Sequence, residues 1–351
     1  MNRLDASDEL RAAIAASDDG ALRFDEFMRL ALYGEHGFYT AREGGGRAGR
    51  RGDFLTAPEV GPLFGVLVAR YLDGEWDRIG QPDPFVVVDA GAGPGTLARS
   101  VLAAAPRCRD ALAYVAVERS AGQRAEHPAG VESRETIPSA PFDGVVLAVE
   151  LLDNLPFRLA VFDEAWREAF VVTAGDDFAE ILSAPLSPVP PELPSRAAHG
   201  ARAPLCAEAA IWVEATRRLI RRGSLLVVDY ARPTAALAAL AWRDWLRTYR
   251  GHERGGHYLR HPGAQDVTAD VAIDQLPSPY WMSTQAEFLH RLGIDELVAQ
   301  GRATWTEAAA YPDIHAMTMR SRVREAEALL DPAGLGAFTV AEWRGAADRS
   351  P

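Results

Sequence analysis

The 351-residue sequence contains no lysine, and all 37 of its basic residues are arginine. This absence excludes enzymes that form a Schiff base on a lysine amine, including pyridoxal phosphate enzymes, and P-loop proteins that hold phosphate with a lysine. Cysteine is scarce: Cys108 and Cys206 fit no metal-binding or redox spacing. No apolar run has the roughly 18 residues of a membrane span. We therefore expect a protein without a membrane partner.

The charge balance is acidic, with a formal net charge of −12. This charge argues against a broad nucleic-acid surface, and no nucleic-acid partner is expected. The stretch 1–20 carries five acidic residues, Asp5, Asp8, Glu9, Asp18 and Asp19, too many for a targeting peptide. The sequence thus predicts a cytoplasmic protein.

One stretch, FVVVDAGAGPGTLA at 85–98, joins an apolar run to alternating glycines. Its start predicts a strand buried on both faces, and its end predicts the first turn of a helix. Glycines in such a turn let the backbone approach a ligand, and the helix N-terminus offers unpaired N–H groups. The cofactor-binding candidates here are Asp89, Gly91, Gly93, Gly95, Thr96 and Leu97.

The spacing of the glycines distinguishes between cofactors. A dinucleotide fingerprint has its third glycine three residues after the second, where this chain has Thr96, and the third glycine is instead Gly95. Asp-x-Gly-x-Gly-x-Gly resembles the first motif of class I S-adenosylmethionine (SAM) methyltransferases. The next predicted strand, 111–118, ends in Glu118, which would lie beside the glycines and accept the ribose hydroxyls. An NAD-dependent oxidoreductase is the weaker alternative.

Several longer strings resemble the MidA-like family, class I methyltransferases that include a mitochondrial protein arginine methyltransferase. They are Ala31-Leu32-Tyr33 with Gly37-Phe38-Tyr39, the string GDFLTAPE at 52–59, Phe64-Gly65, and later matches up to Gly293. The resemblance implies SAM as cofactor and a protein arginine as methyl acceptor. Substrate or lid candidates that it implies are Asp53, Thr56, Pro58, Glu59, Asp229, Tyr230 and Arg247.

The predicted chemical centre follows the third convincing strand, 143–150. Glu150 and Asp153 would project to one side if the chain turns helical there, and two carboxylates can clamp a guanidinium. Glu150 is therefore a candidate both for catalysis and for the cofactor site. The alternative is structural: Asp153 caps a helix and Glu150 forms an ion pair. His252, within a family-like string, is the third catalytic candidate because imidazole titrates near neutrality.

The chain departs from the family pattern near this centre. Val149 replaces an expected Asn, Ala231 replaces Gly, and Asp270 replaces His. These departures leave open a methyltransferase for a small molecule or another side chain, and a non-catalytic assembly protein that retains the fold. No metal is expected: His257 and His261 have helical ligand spacing, but the glycines and proline around them disfavour a helix.

The fold expected is α/β, a doubly wound, mostly parallel Rossmann-like sheet of the class I methyltransferase type. Four divisions are predicted: an N-terminal helical cap at 1–80, a SAM-binding core at 81–232, a lid at 233–283, and C-terminal helices with the last strand at 284–351. Alternation over 158–182 predicts a hairpin that turns at Gly175, and a helix over 206–221 is expected to end at Gly223. Nothing in the sequence indicates the oligomeric state.

Overall fold

The protein is described by a computed structural model that covers residues 5–40, 56–251, 253–308, 311 and 313–348. The helices are α1 Ala6–Ala16, α2 Phe24–Tyr33, α3 Ala57–Val60, α4 Pro62–Arg78, α5 Thr96–Ala103, α6 Ala121–Arg124, α7 Ala207–Leu219, α8 Thr234–Ala239, α9 Trp242–Trp245, α10 Gln285–Arg291, α11 Ile294–Glu307 and α12 Ile314–Leu329. Short 3-10 helices lie at Arg107–Asp110, Leu152–Asn154, Ile273–Gln275 and Leu335–Ala337.

The strands divide between a central sheet and smaller sheets. In chain order they are β1 Leu22–Arg23, β2 Phe85–Ala90, β3 Leu112–Val117, β4 Glu132–Arg134, β5 Phe142–Val149, β6 Arg158–Asp163, β7 Ala165–Ala174, β8 Asp177–Pro185, β9 Arg202–Leu205, β10 Ile220–Asp229, β11 Ala231–Arg232, β12 Leu246–Arg250, β13 Glu253–Arg254, β14 Asp266–Ala269, β15 Val271–Ala272, β16 Trp281–Thr284 and β17 Thr339–Arg344.

The central sheet has seven strands in the order β16-β17-β10-β5-β2-β3-β4. Strands β10, β5, β2, β3 and β4 are parallel, and β17 is antiparallel to both of its neighbours. From β2 the chain proceeds outward to β3 and β4, then returns to β5 on the other side. Ligands bind at such a reversal, beyond the carboxyl ends of the strands. This topology confirms the predicted doubly wound, mostly parallel fold.

The apolar run of β2 is buried on both faces because neighbouring side chains point to opposite sides of a strand. Val87 lies in a core with Phe64 and Leu67 of α4, while Val88 lies in a second core with Phe24 of α2. Helices therefore cover both faces. The N-terminal segment supplies one of these helices to each face, so it is integral to the packing around the sheet.

The second sheet has the order β1-β7-β6-β9, with β8 paired to β7. Strands β7 and β8 form a hairpin that turns at Gly175, which has φ +62°. The expected helix end at Gly223 is wrong. Helix α7 ends at Leu219 and β10 follows directly, so Gly223 lies within the strand. It has φ +126°, and a Cβ there would be 1.8 Å from the Gly144 carbonyl oxygen on β5, so close strand contact explains this glycine.

The segment predicted as a lid contains α8, α9 and strands β12 to β15, and β15 pairs with β11, which lies just before the segment. Strand β16, which starts at Trp281, already belongs to the central sheet. The four domain divisions stay predictions. In the part of the chain described, none of the helices has the length and apolar character needed to cross a bilayer.

Candidate active site

A cavity of about 470 Å³ opens at the carboxyl edge of β2, β3 and β5. It is as large as ordinary small-molecule sites, which span roughly 300–1,000 Å³. Its lining comprises Tyr33, Tyr39, Thr56, Pro58, Glu59, Asp89, Ala90, Gly91, Ala92, Gly93, Pro94, Thr96, Leu97, Val117, Glu118, Arg119, Gln123, Glu135, Thr136, Ile137, Val149, Glu150, Leu151, Asn154, Leu155, Glu208 and Trp212. The cavity thus combines most of the sequence-predicted cofactor residues with segments from elsewhere in the chain.

The glycine turn forms one end of this cavity. Gly91, Gly93 and Gly95 have φ of +75°, +54° and +80°, which favour glycine strongly. A Cβ on Gly91 would lie 3.1 Å from Leu151 Cδ1, and a Cβ on Gly93 would lie 3.2 Å from Gln123 Oε1. Gly95 is the N-cap of α5, while Thr96 and Leu97 line the cavity. Side chains at Gly91 and Gly93 would therefore contact residues of the cavity wall.

Asp89, at the end of β2, is 3% exposed and accepts a hydrogen bond of 3.0 Å from Tyr114 Oη. Burial raises the pKa of the Asp89 carboxyl to about 7, with Glu118 adding to the rise and the Tyr114 hydrogen bond opposing it. A cationic group in the cavity would therefore be needed to stabilise the ionised carboxylate. The amino group of an amino acid is such a cation.

Glu118 follows β3 and contacts the glycine turn directly. Its Oε2 accepts the Gly93 N–H at 3.1 Å, and its Oε1 accepts the Ser120 N–H at 2.8 Å. Each carboxylate oxygen has a second lone pair. Glu118 is thus oriented by the backbone and can still accept hydrogen bonds from a ligand's hydroxyl groups.

Glu150 lines the cavity at the end of β5, with φ +52°. Its Oε1 accepts the Ala57 N–H at 3.0 Å, so its carboxylate caps the start of α3. Thr56, the N-cap by position, makes no side-chain capping bond. Burial, with Asp153 contributing, raises the pKa of Glu150 to about 8. A carboxyl with a pKa of about 8, neutral below that pH in the absence of a cation, therefore faces the cavity.

Asp153 does not line the cavity. It is 6% exposed, and its Oδ2 accepts a hydrogen bond from the Thr268 hydroxyl on β14. The 3-10 turn after β5 rotates this side chain away from Glu150 and toward the predicted lid. Burial raises the pKa of Asp153 to about 6, against the lowering effect of Thr268 and Arg247. The two predicted clamp carboxylates are thus neighbours in sequence but face different surroundings.

Asp229, at the end of β10, also lies behind the cavity wall. Its Oδ2 accepts the N–H groups of Leu152 and Asp153 at 2.8 and 3.3 Å, and its Oδ1 accepts the Tyr230 N–H at 2.9 Å. Burial raises the pKa of this carboxyl well above its usual range. Asp229 therefore fixes the turn that carries Glu150.

The other predicted substrate residues divide between cavity and surroundings. Thr56, Pro58 and Glu59 line the cavity. Tyr230 and Arg247 do not: the Arg247 guanidinium lies 4.5 Å from the centre of the Tyr230 ring. Asp53 and His252 lie outside the described residues.

The three departures from the family pattern have separate surroundings. Val149 lines the cavity, so an apolar surface stands where the family has an amide. Ala231 lies in β11, paired with Val271 of β15. Asp270, 2% exposed, forms ion pairs with Arg247 at 2.7 Å and Arg232 at 3.2 Å. Only Val149 is part of the cavity wall.

Several wall residues were missed by sequence reasoning, among them Tyr33, Tyr39, Trp212 and Glu208. The Tyr33 and Tyr39 rings stack with centroids 5.6 Å apart, and Tyr39 Oη donates to Asp266 Oδ1 at 2.9 Å. Both tyrosines belong to strings quoted for the family resemblance, which was the available signal. Trp212 and Glu208 lie on α7, and no pattern in that helix indicates which face meets the cavity.

The cavity is strongly acidic. Six carboxyl side chains line it, namely Glu59, Asp89, Glu118, Glu135, Glu150 and Glu208. Arg119 is the one arginine among the described lining residues, and its guanidinium lies 5.1 Å from the centre of the Tyr33 ring. Glu208 is already paired with Arg29, at 2.7 Å, and the other carboxyls of the wall favour cationic ligands.

The residues present fit the cofactor implied by the fold. SAM has an amino-acid end, a ribose and a positively charged sulfur. The space beside Gly91 and Gly93, the carboxyls of Asp89 and Glu118, and the acidic wall match these groups in chemistry.

Comparisons with known proteins agree with this fit. Residues 67–293 match a family model for S-adenosyl-L-methionine-dependent methyltransferases. The Drosophila melanogaster mitochondrial protein arginine methyltransferase NDUFAF7 homolog is 28% identical over 304 residues, covering 75% of this chain and 67% of the relative. The Homo sapiens protein arginine methyltransferase NDUFAF7, mitochondrial, is 24% identical over 325 residues, covering 79% and 71%.

A solved structure extends the similarity to three dimensions. A protein from Burkholderia thailandensis, crystallised with S-adenosyl-homocysteine (SAH), superposes with a TM-score of 0.80. It is 25% identical, and the match covers 98% of this chain and 93% of that one. The bound SAH in this relative supports the cofactor assignment.

The comparisons correct one prediction. The curated relatives are named as mitochondrial proteins, so the cytoplasmic location predicted from residues 1–20 is wrong. The composition of one stretch tests only whether that stretch resembles a targeting peptide. It does not identify a compartment.

Fold, cavity and comparisons lead to the same chemistry. The family model covers well over half of the chain, and the predicted cofactor, SAM, is confirmed. The chain belongs to the MidA-like family of SAM-dependent methyltransferases.

Proposed function

We propose that this methyltransferase modifies arginine side chains of a protein partner. The observation that carries the proposal is the set of carboxyls on the cavity wall, among them Glu59 and Glu150. Glu208 lies on the same wall but already accepts two hydrogen bonds from the Arg29 guanidinium, at 3.2 and 2.7 Å. A guanidinium is a planar cation that carboxylates bind through paired hydrogen bonds. The names of the curated relatives, protein arginine methyltransferases, support the same acceptor.

The glycine turn holds the cofactor in this proposal. Asp89 binds its amino group, Glu118 binds the ribose hydroxyls, and Gly91 and Gly93 leave room for the backbone to approach it. Thr96 and Leu97, with Gly95 as N-cap, present the start of α5. When bound, SAM supplies a methyl group on a positively charged sulfur.

Glu150 and Glu59 orient the acceptor. A guanidinium has a pKa above 12, so in water almost none of the group is in the neutral form that offers a nitrogen lone pair. Carboxylates that hold the group in line with the methyl raise the fraction of productive encounters, and the closed cavity excludes water as competing nucleophile. Because Glu150 Oε1 is engaged by Ala57 N–H, Oε2 is the atom assigned to take the proton that the methylated nitrogen releases.

A layer of residues around the turn after β5 positions this centre. Asp229 holds the backbone of the turn, and Asp153 joins it to Thr268 of β14. Asn154 extends the same link, because its Nδ2 donates to Asp266 Oδ1 at 3.0 Å. Arg247 and Tyr230 complete the layer, so these predicted site residues act through Glu150. His252 remains a prediction.

The test is transfer of labelled methyl from SAM to proteins of a cell lysate, followed by mass spectrometric mapping of the modified atom. Wild type and Glu150→Gln are compared, since glutamine keeps an oxygen for the Ala57 N–H but removes the charge. Label on guanidino nitrogens, lost in the variant, supports the proposal. Label found only on other side chains or on small molecules refutes the arginine assignment. No label with wild type also counts against it if SAH binds.

A further inference from the structure

The glycine turn is contacted from outside the cavity by the segment 126–128, which follows α6. His127 Nε2 lies 2.9 Å from the Gly93 carbonyl oxygen. A carbonyl oxygen can only accept, so Nε2 carries the hydrogen and donates it. On the other side of the ring, Nδ1 lies 2.8 Å from Ser133 Oγ on β4. The imidazole therefore links the turn to an edge strand of the central sheet.

The same glycine is held from a second direction. Its N–H donates to Glu118 Oε2 at 3.1 Å, while its carbonyl accepts from His127. Two side chains thus fix the peptide groups on both sides of Gly93, whose φ is +54°. A free glycine visits many backbone conformations, so two such bonds select one of them.

A further contact ties the segment to the turn. Arg99 Nη1 on α5 donates to the Pro94 carbonyl at 2.8 Å and to the Glu126 carbonyl at 3.1 Å. Packing is close as well: a Cβ on Gly95 would lie 2.9 Å from Pro128 Cδ. The segment 126–128 therefore forms an outer support for the glycine turn, and His127 supplies its hydrogen bond to Gly93.

We propose that His127 is a positioning residue for the cofactor: its Nε2–H holds the Gly93 carbonyl so that the glycine turn has its binding shape before SAM or SAH enters. A turn that is already ordered does not lose backbone freedom when the ligand binds, so affinity is higher. The donor requires the tautomer that carries its hydrogen on Nε2, in which Nδ1 accepts from the Ser133 hydroxyl. His127 itself need not touch the ligand.

The test compares His127→Phe, which keeps a ring but has no donor, with His127→Gln, whose amide can donate. Calorimetric titration of the full chain with SAH should give a Kd about tenfold weaker for His127→Phe, the effect of one lost hydrogen bond. His127→Gln should lie within about threefold of wild type. His290→Phe is the matched control, because His290 Nδ1 lies 2.7 Å from Asp295 Oδ2 at an exposed site on α10 and α11.

A second readout separates positioning from general stability. Amide hydrogen exchange of the ligand-free protein should be faster at 91–96 in His127→Phe and near wild type in His127→Gln. Exchange in β7 and β8 should be the same in wild type, His127→Phe and His127→Gln. SAH affinity of His127→Phe within twofold of wild type would overturn the proposal, as would a His127→Gln variant as weak as His127→Phe.

If His127→Phe does not fold, Ser133→Ala tests the role of His127 instead. It removes the bond to Nδ1 and leaves the donor on a less restrained ring, so SAH binding should weaken about threefold. An SAH affinity equal to that of wild type in this variant would then overturn the proposal.

Discussion

The two ends of the cavity are built in different ways. At the cofactor end, backbone groups of a short contiguous stretch, 91–97, meet Asp89 and Glu118 at the ends of adjacent strands. The rest of the wall, where we propose that the acceptor binds, is formed by side chains from α2, α3, α7 and the turn after β5, among them Tyr33, Glu59 and Glu208. The first arrangement is fixed locally, whereas the second depends on how distant segments pack.

This difference determines what the sequence could predict. Asp89, the glycines and Glu118 follow apolar runs that predict buried strands, because side chains alternate between the two faces of a strand. Ligands bind at the carboxyl ends of parallel strands, so these residues can be placed without knowledge of the rest of the chain. The sequence could therefore predict that these residues lie together at one edge of the sheet. Their roles toward the cofactor stay predictions.

The acceptor end was predicted only in part. Glu150 lines the cavity, but Asp153, three residues later, is directed to Thr268, more than a hundred residues away in sequence. Helical spacing suggested a shared face, whereas a 3-10 turn held by Asp229 sets the actual directions. Glu208 and Trp212 were missed because contacts across the fold, which no local pattern encodes, select that face of α7.

The largest effect is expected from filling the cofactor end. Gly93→Arg should weaken SAH binding more than about 100-fold, because the new side chain occupies the cavity and the backbone stays at φ +54°. Calorimetric titration measures it. Gly175→Arg is the matched control: its φ is +62° and no atom lies within 4 Å of a Cβ there. Equal losses in both variants would mean that backbone strain, not the cavity, causes the effect.

The next largest effect is expected on the rate of methyl transfer, with little change in cofactor affinity. Glu150→Gln should slow methyl transfer about 100-fold, because one charged group that stabilises the reacting cation is lost. SAH affinity should change less than about threefold. Rates come from labelled methyl transfer at saturating SAM, and affinities from calorimetry. A variant that loses SAH binding and transfer equally would show that the two ends are not separable.

Substitution of Asp153 should change stability rather than cofactor binding, because this residue lies behind the cavity wall. Asp153→Ala leaves the Thr268 hydroxyl without its partner, and we expect a loss of about 1–3 kcal/mol in the free energy of unfolding. Chemical denaturation measures the loss. SAH affinity of the folded variant should remain close to that of wild type. An unchanged free energy of unfolding with abolished methyl transfer would instead restore Asp153 to direct contact with the acceptor.

The smallest effect concerns pH. The pKa of Glu150 is raised to about 8, so the neutral acid predominates below that pH in the ligand-free protein. A positively charged sulfur favours the carboxylate, and the preference for SAM over SAH should therefore rise with pH, up to about tenfold between pH 6 and 9. Asp89, with a pKa of about 7, titrates in the same range, but in the proposed function it binds the amino group that SAM and SAH share.

Parallel titrations of SAM and SAH at each pH give the preference as a ratio of two Kd values. In Glu150→Gln that ratio should be independent of pH. A ratio that still rises in this variant would assign the effect to another carboxyl of the wall.

In the proposed function, one cavity holds the cofactor and an arginine guanidinium side by side. This arrangement is tested most directly by calorimetric titration of an SAH analogue that carries an alkylguanidine in place of the transferable methyl, against an analogue with an uncharged alkyl chain of equal length. The guanidine analogue should bind at least about tenfold more tightly, since it occupies both ends at once. Equal affinity of the two analogues would contradict the proposal that a guanidinium binds beside the cofactor.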